Sequence, residues 1–240
     1  MQTAIVPLLK MLKTKHIMST RNCALIEVDP QVDFGVASGS LYVPRGEEVV
    51  TELNALRIAL QDAGRLRSVI LTQDSHPPDH VSFQVNNPGS ELFKEHVLAD
   101  GSKQMMWPVH CQVGTPGHEF LPGLLRELND IIVPKGTRRE VDSYSGFGSE
   151  DCVREITPLN LHLKGRGIRY VVIGGLAFDY CVSYTARDAA RLGYKTIVVR
   201  SATRGISPES CEREEGLMRA AGVIVVEDVE EAICFLAKNV

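Results

Sequence analysis

The stretch Tyr170-Val171-Val172-Ile173-Gly174-Gly175-Leu176-Ala177-Phe178-Asp179-Tyr180-Cys181-Val182 decides how the chain is read. Its four leading residues are apolar without alternation, as in a parallel strand buried on both faces. Ser183 to Leu192 follows with small residues on one face and Arg/Asp on the other, and Gly193 ends it, which predicts a helix. Asp179 is the expected N-cap, placing Cys181 in the first helical turn. Free N–H groups and the positive end of the helix dipole would then favour the thiolate, making Cys181 a nucleophile. The alternative is a cysteine that packs as a small hydrophobe.

The same strand–turn–helix unit recurs outward from this stretch. Cys23 to Val28 is an apolar strand running into Asp29-Pro30-Gln31-Val32-Asp33-Phe34, with Pro30 stopping it. Ser68 to Thr72 ends at Gln73-Asp74, and Ile131 to Val133 ends at Pro134-Lys135. Lys195–Val199 and Val223–Val226 complete six strands with Tyr170–Ile173. Helices are expected from Gly46 to Ala63, from Pro158 to about Lys164, from Ser207-Pro208 to Gly222, and from Val229 to Lys238. In the first of these, Val49, Val50, Leu53, Leu56 and Leu60 make the apolar stripe. The alternation predicts an α/β fold, a doubly wound six-stranded parallel sheet with helices on both faces. Residues 75–130 form an excursion rich in Pro, Gly and His, far longer than common connections, and such segments are usually functional.

At 240 residues, one domain is the simplest count, and 44% apolar with 23% charged residues suits a soluble globular protein. A net charge of −4 and no long basic cluster argue against nucleic acid as a partner. No run approaches the ~20 apolar residues that span a bilayer. The six cysteines do not resemble a disulfide framework, and a cytoplasmic, reducing setting is expected. Residues 1–22 carry Lys10, Lys13, Lys15, His16 and Arg21 without an acid. They read as a flexible extension, with an organelle-targeting tail as the alternative, leaving 23–240 as the domain. The composition leaves homo-oligomers open.

In an open parallel sheet, sites form beyond the carboxyl ends of the strands. Asp29, Asp74, Lys135 and Cys181 all sit there. A carboxylate beside a thiol can take its proton, and a lysine between them holds both anions. Asp33 and Asp179 are expected in turns and caps. A second constellation is Asp74-Ser75-His76, then His80, then Trp107-Pro108-Val109-His110-Cys111. Asp74, His76 and His110 could hold a catalytic metal with open positions, and His80 could replace or supplement His110. His16, His96, His118 and His162 are expected at the surface. Phe34, Trp107, Tyr144 and Tyr180 next to these groups suit a flat ring ligand.

Together, Asp29-Pro-Gln-Val-Asp-Phe34, Asp74-Ser-His76-Pro-Pro-Asp-His80, Trp107-Pro-Val-His110-Cys111, Lys135-Gly and Gly175-Leu-Ala-Phe-Asp-Tyr-Cys181-Val resemble the nicotinamidases of the isochorismatase-like cysteine hydrolases. The likeness runs from about residue 22 to the C-terminus. It implies strand order 3-2-1-4-5-6 and hydrolysis of nicotinamide to nicotinate and ammonia, in NAD salvage, through a cysteine thioester. It further implies Cys181 as nucleophile, Asp29 as general base and then acid, Lys135 as their partner, and Asp74, His76 and His110 as ligands of one divalent metal. Zinc comes first, with iron or manganese as alternatives. Backbone N–H groups of Ala177 and Cys181 would form the oxyanion hole, after a cis Leu176–Ala177 peptide. Phe34, Leu41, Trp107, Tyr144 and Tyr180 would line the substrate. Phe178 stands where a small hydroxyl residue is common. Rival readings are a metal-independent hydrolase of carbamoyl or ureido amides, and a non-enzymatic small-molecule binding protein.

Overall fold

Cys23–Val28 forms β1, and all six residues are buried because the strand is sandwiched on both faces and paired on both edges. The computed structural model describes residues 22–149 and 154–239; the expected extension over 1–22 lies outside them apart from Asn22. On one side β1 pairs in parallel with β2 (Leu66–Asp74), which pairs with β5 (Ile131–Lys135). On the other it pairs with β6 (Tyr170–Leu176), followed by β7 (Lys195–Arg204) and β8 (Ile224–Val226). The sheet order β5-β2-β1-β6-β7-β8 is the expected 3-2-1-4-5-6 once the small antiparallel hairpin β3 (Glu95–Val97) and β4 (Lys103–Met105) is left out of the count. That hairpin, inside the 75–130 excursion, has no strong sequence signal: its strands are three residues long and largely polar.

Alternate residues of each strand feed two separate cores. Leu25, Val172, Ile197 and Val199 face α2 (Val49–Asp62) and α6 (Val229–Asn239). Ala24, Ile26, Val171, Ile173 and Val198 face α3 (Leu159–Gly165), α4 (Ser183–Arg191) and α5 (Pro208–Ala220). A single turn, α1 (Val32–Gly35), follows β1. The expected stripe of α2 is the observed one: Val49, Leu53, Leu56 and Leu60 are fully buried, and truncating such a leucine to alanine costs about 2–5 kcal/mol. Ser207 caps α5 as expected, accepting from Ser210 N, with Pro208 in the first turn. No helix among the described residues is long and apolar enough to cross a membrane.

Two features of this frame were not visible in the pattern. Arg57 on α2 is buried and forks onto Asp130 at 2.8 and 2.9 Å, fastening the end of the excursion to the helix layer. Glu27 is fully buried inside β1, between Leu71 of β2 and Gly174 of β6, and neither carboxyl oxygen has a hydrogen-bond partner. Burial raises its pKa to about 8, against the pull of Arg57. The folded state therefore holds a proton that the unfolded chain releases at its ordinary value of 4.5. Its contribution to stability is full below that value and is lost as pH rises toward about 8. Glu27→Gln should flatten this slope by a few kcal/mol between acid and alkaline pH; parallel denaturant titrations of the two proteins would expose the difference.

Candidate active site

Sheet register brings the reactive side chains together. Asp74 and Lys135 are direct partners across β2 and β5, and Lys135 Nζ donates to Asp74 Oδ1 at 2.5 Å. The same ammonium lies 3.0 Å from Asp29 Oδ2 and 3.4 Å from Cys181 Sγ, and donates to Ser143 O at 3.0 Å. It is fully buried. Burial alone would favour neutral lysine, but Asp29, Asp74 and Cys181 outweigh it and hold the pKa well above the ordinary value.

Asp29 leaves β1 in the left-handed region, φ 44°. Its N–H donates to Thr72 Oγ1, whose hydroxyl donates to Asp29 Oδ1 at 2.6 Å. Burial pushes the Asp29 pKa up to about 6, while Lys135 and Thr72 restrain it and Asp74 adds to the rise. Asp29 Oδ2 faces the Lys135 ammonium at 3.0 Å and keeps a lone pair that can receive a proton.

Cys181 lies in the site, but its helical setting differs from expectation. Phe178–Val182 form a wide turn in which Tyr180 has φ −132° and ψ −105°, and regular helix starts only at Ser183. Asp179 does not cap this helix. Its carboxylate instead accepts from the N–H groups of Ile206 and Ser207 and from Ser210 Oγ, at the mouth of α5. Nor is the thiol acidified: burial, with Asp29 and Asp74 nearby, raises the Cys181 pKa well above its ordinary value, and Lys135 only moderates the rise. The resting group is a thiol beside a carboxylate whose pKa is about 6. The Leu176–Ala177 peptide is cis, as expected. Gly175, at φ 125°, lets β6 approach β1 here: a Cβ would lie 2.0 Å from Val28 O.

Asp74, His76 and His110 form a second group whose ligand atoms lie within 4.8 Å of one another. His76 Nδ1 bonds Gly136 O at 2.9 Å and His110 Nδ1 bonds Pro108 O at 2.8 Å. Carbonyls only accept, so both rings carry a proton on Nδ1, which leaves Nε2 as the atom a metal would take. Burial disfavours a charged His76, but Asp74, 3.6 Å from its Nε2, outweighs burial and raises its pKa, so a metal would displace a proton there. Burial, and then His76, lowers the His110 pKa to about 4. Gly136, at φ 59°, leaves room for His76; a Cβ would come within 2.4 Å of its ring. These donors suit a divalent ion such as zinc. His80 does not present a free nitrogen to that group. It stacks on His76 at 4.1 Å, Nε2 donates to Val141 O, and Nδ1 accepts from Ser82.

All five expected wall residues, Phe34, Leu41, Trp107, Tyr144 and Tyr180, line one cleft with Asp74, His110 and Cys181. Trp107 Nε1 donates to Tyr144 Oη at 3.0 Å, and Tyr180 meets both rings edge-on. Val43, Asp142 and Ile206 also line it and were missed. Ile206 had a usable signal, since it follows Gly205 just past the end of β7; Asp142 had none beyond its place in a polar loop. Gln31 was missed too: it clamps the Asp74 backbone from both sides, accepting at Oε1 and donating from Nε2. Asp33, expected in a turn, accepts from Cys111 N at 2.7 Å and so fixes the loop carrying His110. His118, like His96 and His162, is half-buried at the surface, but it is not free: its ring meets Ser75 Oγ, and its carbonyl accepts from Gln31 and Gln73.

The isochorismatase domain model matches residues 23–231, and the chain belongs to that family. Within it, the chain is 37% identical over 191 residues to a nicotinamidase of Acinetobacter baylyi, covering 80% of this chain and 85% of that protein. Among solved structures it resembles the yeast nicotinamidase bound to the inhibitor nicotinaldehyde, with TM-score 0.79, 33% identity, and coverage of 86% of this chain and all of that one. It also resembles a pyrazinamidase of Pyrococcus horikoshii in complex with zinc, with TM-score 0.70, 32% identity, and coverage of 86% and 99%.

Lys135→Met should leave Asp29 and Asp74 buried without their shared cation. A stability loss of about 3–5 kcal/mol is expected, as for other buried pairs broken on one side. The pH at which Cys181 becomes alkylated should also rise. Denaturant midpoints and an alkylation rate–pH profile measure the two effects.

Proposed function

We propose that the chain is a nicotinamidase, hydrolysing nicotinamide to nicotinate and ammonia in cytoplasmic NAD salvage. One observation carries the reading: Cys181 lines the same aromatic-walled cleft as Asp74 and His110, and the buried Lys135 Nζ behind it meets both Cys181 Sγ and Asp29. The names of the relatives support it, and nicotinaldehyde in the yeast enzyme supports a pyridine carbonyl ligand. Asp74, His76 and His110 would hold one divalent ion, with zinc favoured by the Pyrococcus relative. When bound, that ion would draw electron density from the pyridine ring and make the carboxamide carbon more electrophilic.

The chain's own residues carry the proton and acyl steps. Phe34, Leu41, Trp107, Tyr144 and Tyr180 hold the ring and exclude water. Asp29 takes the Cys181 proton as sulfur attacks the carboxamide carbon, because the thiol does not ionise unaided. Lys135 remains charged throughout and balances the thiolate and carboxylate as they exchange the proton. The N–H groups of Ala177 and Cys181 receive the oxyanion, each worth on the order of 3 kcal/mol. Asp29 then protonates departing ammonia, and water, deprotonated by the same carboxylate, cleaves the thioester.

Ammonia release from nicotinamide is the direct test. Cys181→Ala should abolish it with the fold intact; activity within tenfold of the parent would overturn the covalent route. Chelation should remove activity and zinc restore it, whereas an unaffected enzyme would favour a metal-independent amidohydrolase. Since Asp29 acts as an ionised base, kcat/KM should fall as pH drops through about 6. Thr72→Val, which removes a hydrogen bond to the carboxylate, should move that limb to higher pH. An unshifted limb would show that a different group controls it.

A further inference from the structure

The wide turn Phe178–Val182 cannot be held by helical hydrogen bonding alone, since Tyr180 departs from helical geometry in its middle. Its firmest side-chain tie to another element is the Asp179 carboxylate. This group is 1% exposed. Its Oδ1 accepts from Ile206 N at 3.0 Å, and its Oδ2 accepts from Ile206 N at 3.2 Å, Ser207 N at 3.4 Å and Ser210 Oγ. Ile206, the first residue bound, lines the substrate cleft with Ala177, Tyr180 and Cys181. Gly205 keeps this junction tight: a Cβ there would lie 2.1 Å from Cys211 Sγ and 3.1 Å from Asp179 Oδ1. One buried carboxylate thus joins the turn that carries the nucleophile to the β7–α5 connection that supplies part of the cleft wall.

We propose that Asp179 is a positioning residue, whose hydrogen bonds to the Ile206–Ser210 segment set the placement of Cys181 against Lys135 and of Ile206 against the bound ring. The inference rests on Cys181 being the nucleophile. Asp179 touches no reacting atom. Its effect runs through two backbone segments, and it falls mainly on the attack step, because four of the five wall residues, Phe34, Leu41, Trp107 and Tyr144, and the His76 and His110 group are held from other elements.

The test uses the full chain with nicotinamide as probe, at a temperature where far-ultraviolet circular dichroism shows every variant folded. Asp179→Ala should lower kcat at least thirtyfold while KM changes less than fivefold. Asp179→Asn keeps the shape and one acceptor oxygen, and should recover a substantial part of the loss. Ser210→Ala removes one donor and leaves the two backbone donors, so a smaller loss, about threefold, is expected. Gly205→Ala attacks the same junction from its other side and should reproduce the kcat defect with the Asp179 side chain present. In Asp179→Ala the alkylation profile of Cys181 by iodoacetamide should shift to higher pH, as the thiol loses its fixed contact with Lys135. A generally weakened fold would lower the melting temperature without moving that profile. The proposal is overturned if Asp179→Ala keeps kcat within threefold of the parent, or if kcat falls with an unchanged alkylation profile. If Cys181→Ala remains active, the nucleophile assignment itself fails, and that result is separate from either Asp179 outcome.

Discussion

One buried ammonium organises the carboxyl end of the sheet. Lys135 Nζ meets Asp29, Asp74, Cys181 and the Ser143 carbonyl at once, with no exposure to water. Isolated in that position, either carboxylate or the lysine would be strongly disfavoured. Together they are tolerated because sheet register sets their spacing and the two acids share one cation. The sharing is unequal. Burial opposes ionisation of Asp74, but Lys135 and His76 overcome it and hold its pKa well below the ordinary range; Asp29 is left at about 6. Two acids beside one lysine are thereby driven to different proton affinities, the condition for giving them different tasks.

Around this centre, backbone geometry fixes what side chains alone could not. Thr72 grips Asp29, Gln31 grips the Asp74 backbone, and Gly136 offers its carbonyl and an absent side chain to His76. Asp33 reaches across to the loop after His110. The four partners come from three segments, with Gln31 and Asp33 both just after β1, so the site is supported from several directions at once. The departure at Phe178 fits the same scheme: the ring is fully buried and the Arg200 guanidinium lies 3.9 Å over it, closing the back of the nucleophile turn.

Much of this was legible because strands and their ends have strong signatures. Apolar runs ending at Asp29, Asp74 and Lys135 predicted both the sheet and the convergence of those residues. The stripe of α2 and the Ser207-Pro208 cap were read directly. What escaped depended on partners distant in sequence. Asp179 looked like a local cap because Asp before a helix commonly is one, and its true donors lie at residues 206–210. The expected acidic thiol failed for a related reason: regular helix starts at Ser183, three residues later than an Asp179 cap implies, and burial outweighs the lysine. His80 and His118 carry no pattern that separates a ligand from a histidine whose nitrogens are already engaged. Glu27 reads as an interruption of a strand, and nothing local reveals that it is enclosed without a partner.

The parallel topology has a kinetic consequence. Asp29 and Thr72 are separated by 43 residues, Asp74 and Lys135 by 61, and Lys135 and Cys181 by 46. None of these three pairs is local, and each is closed only after a complete crossover has packed. Catalytic competence should therefore emerge late in refolding and all at once, after most of the secondary structure. A chain that has formed its helices but not the β2–β1–β6 register would have the right residues and no site.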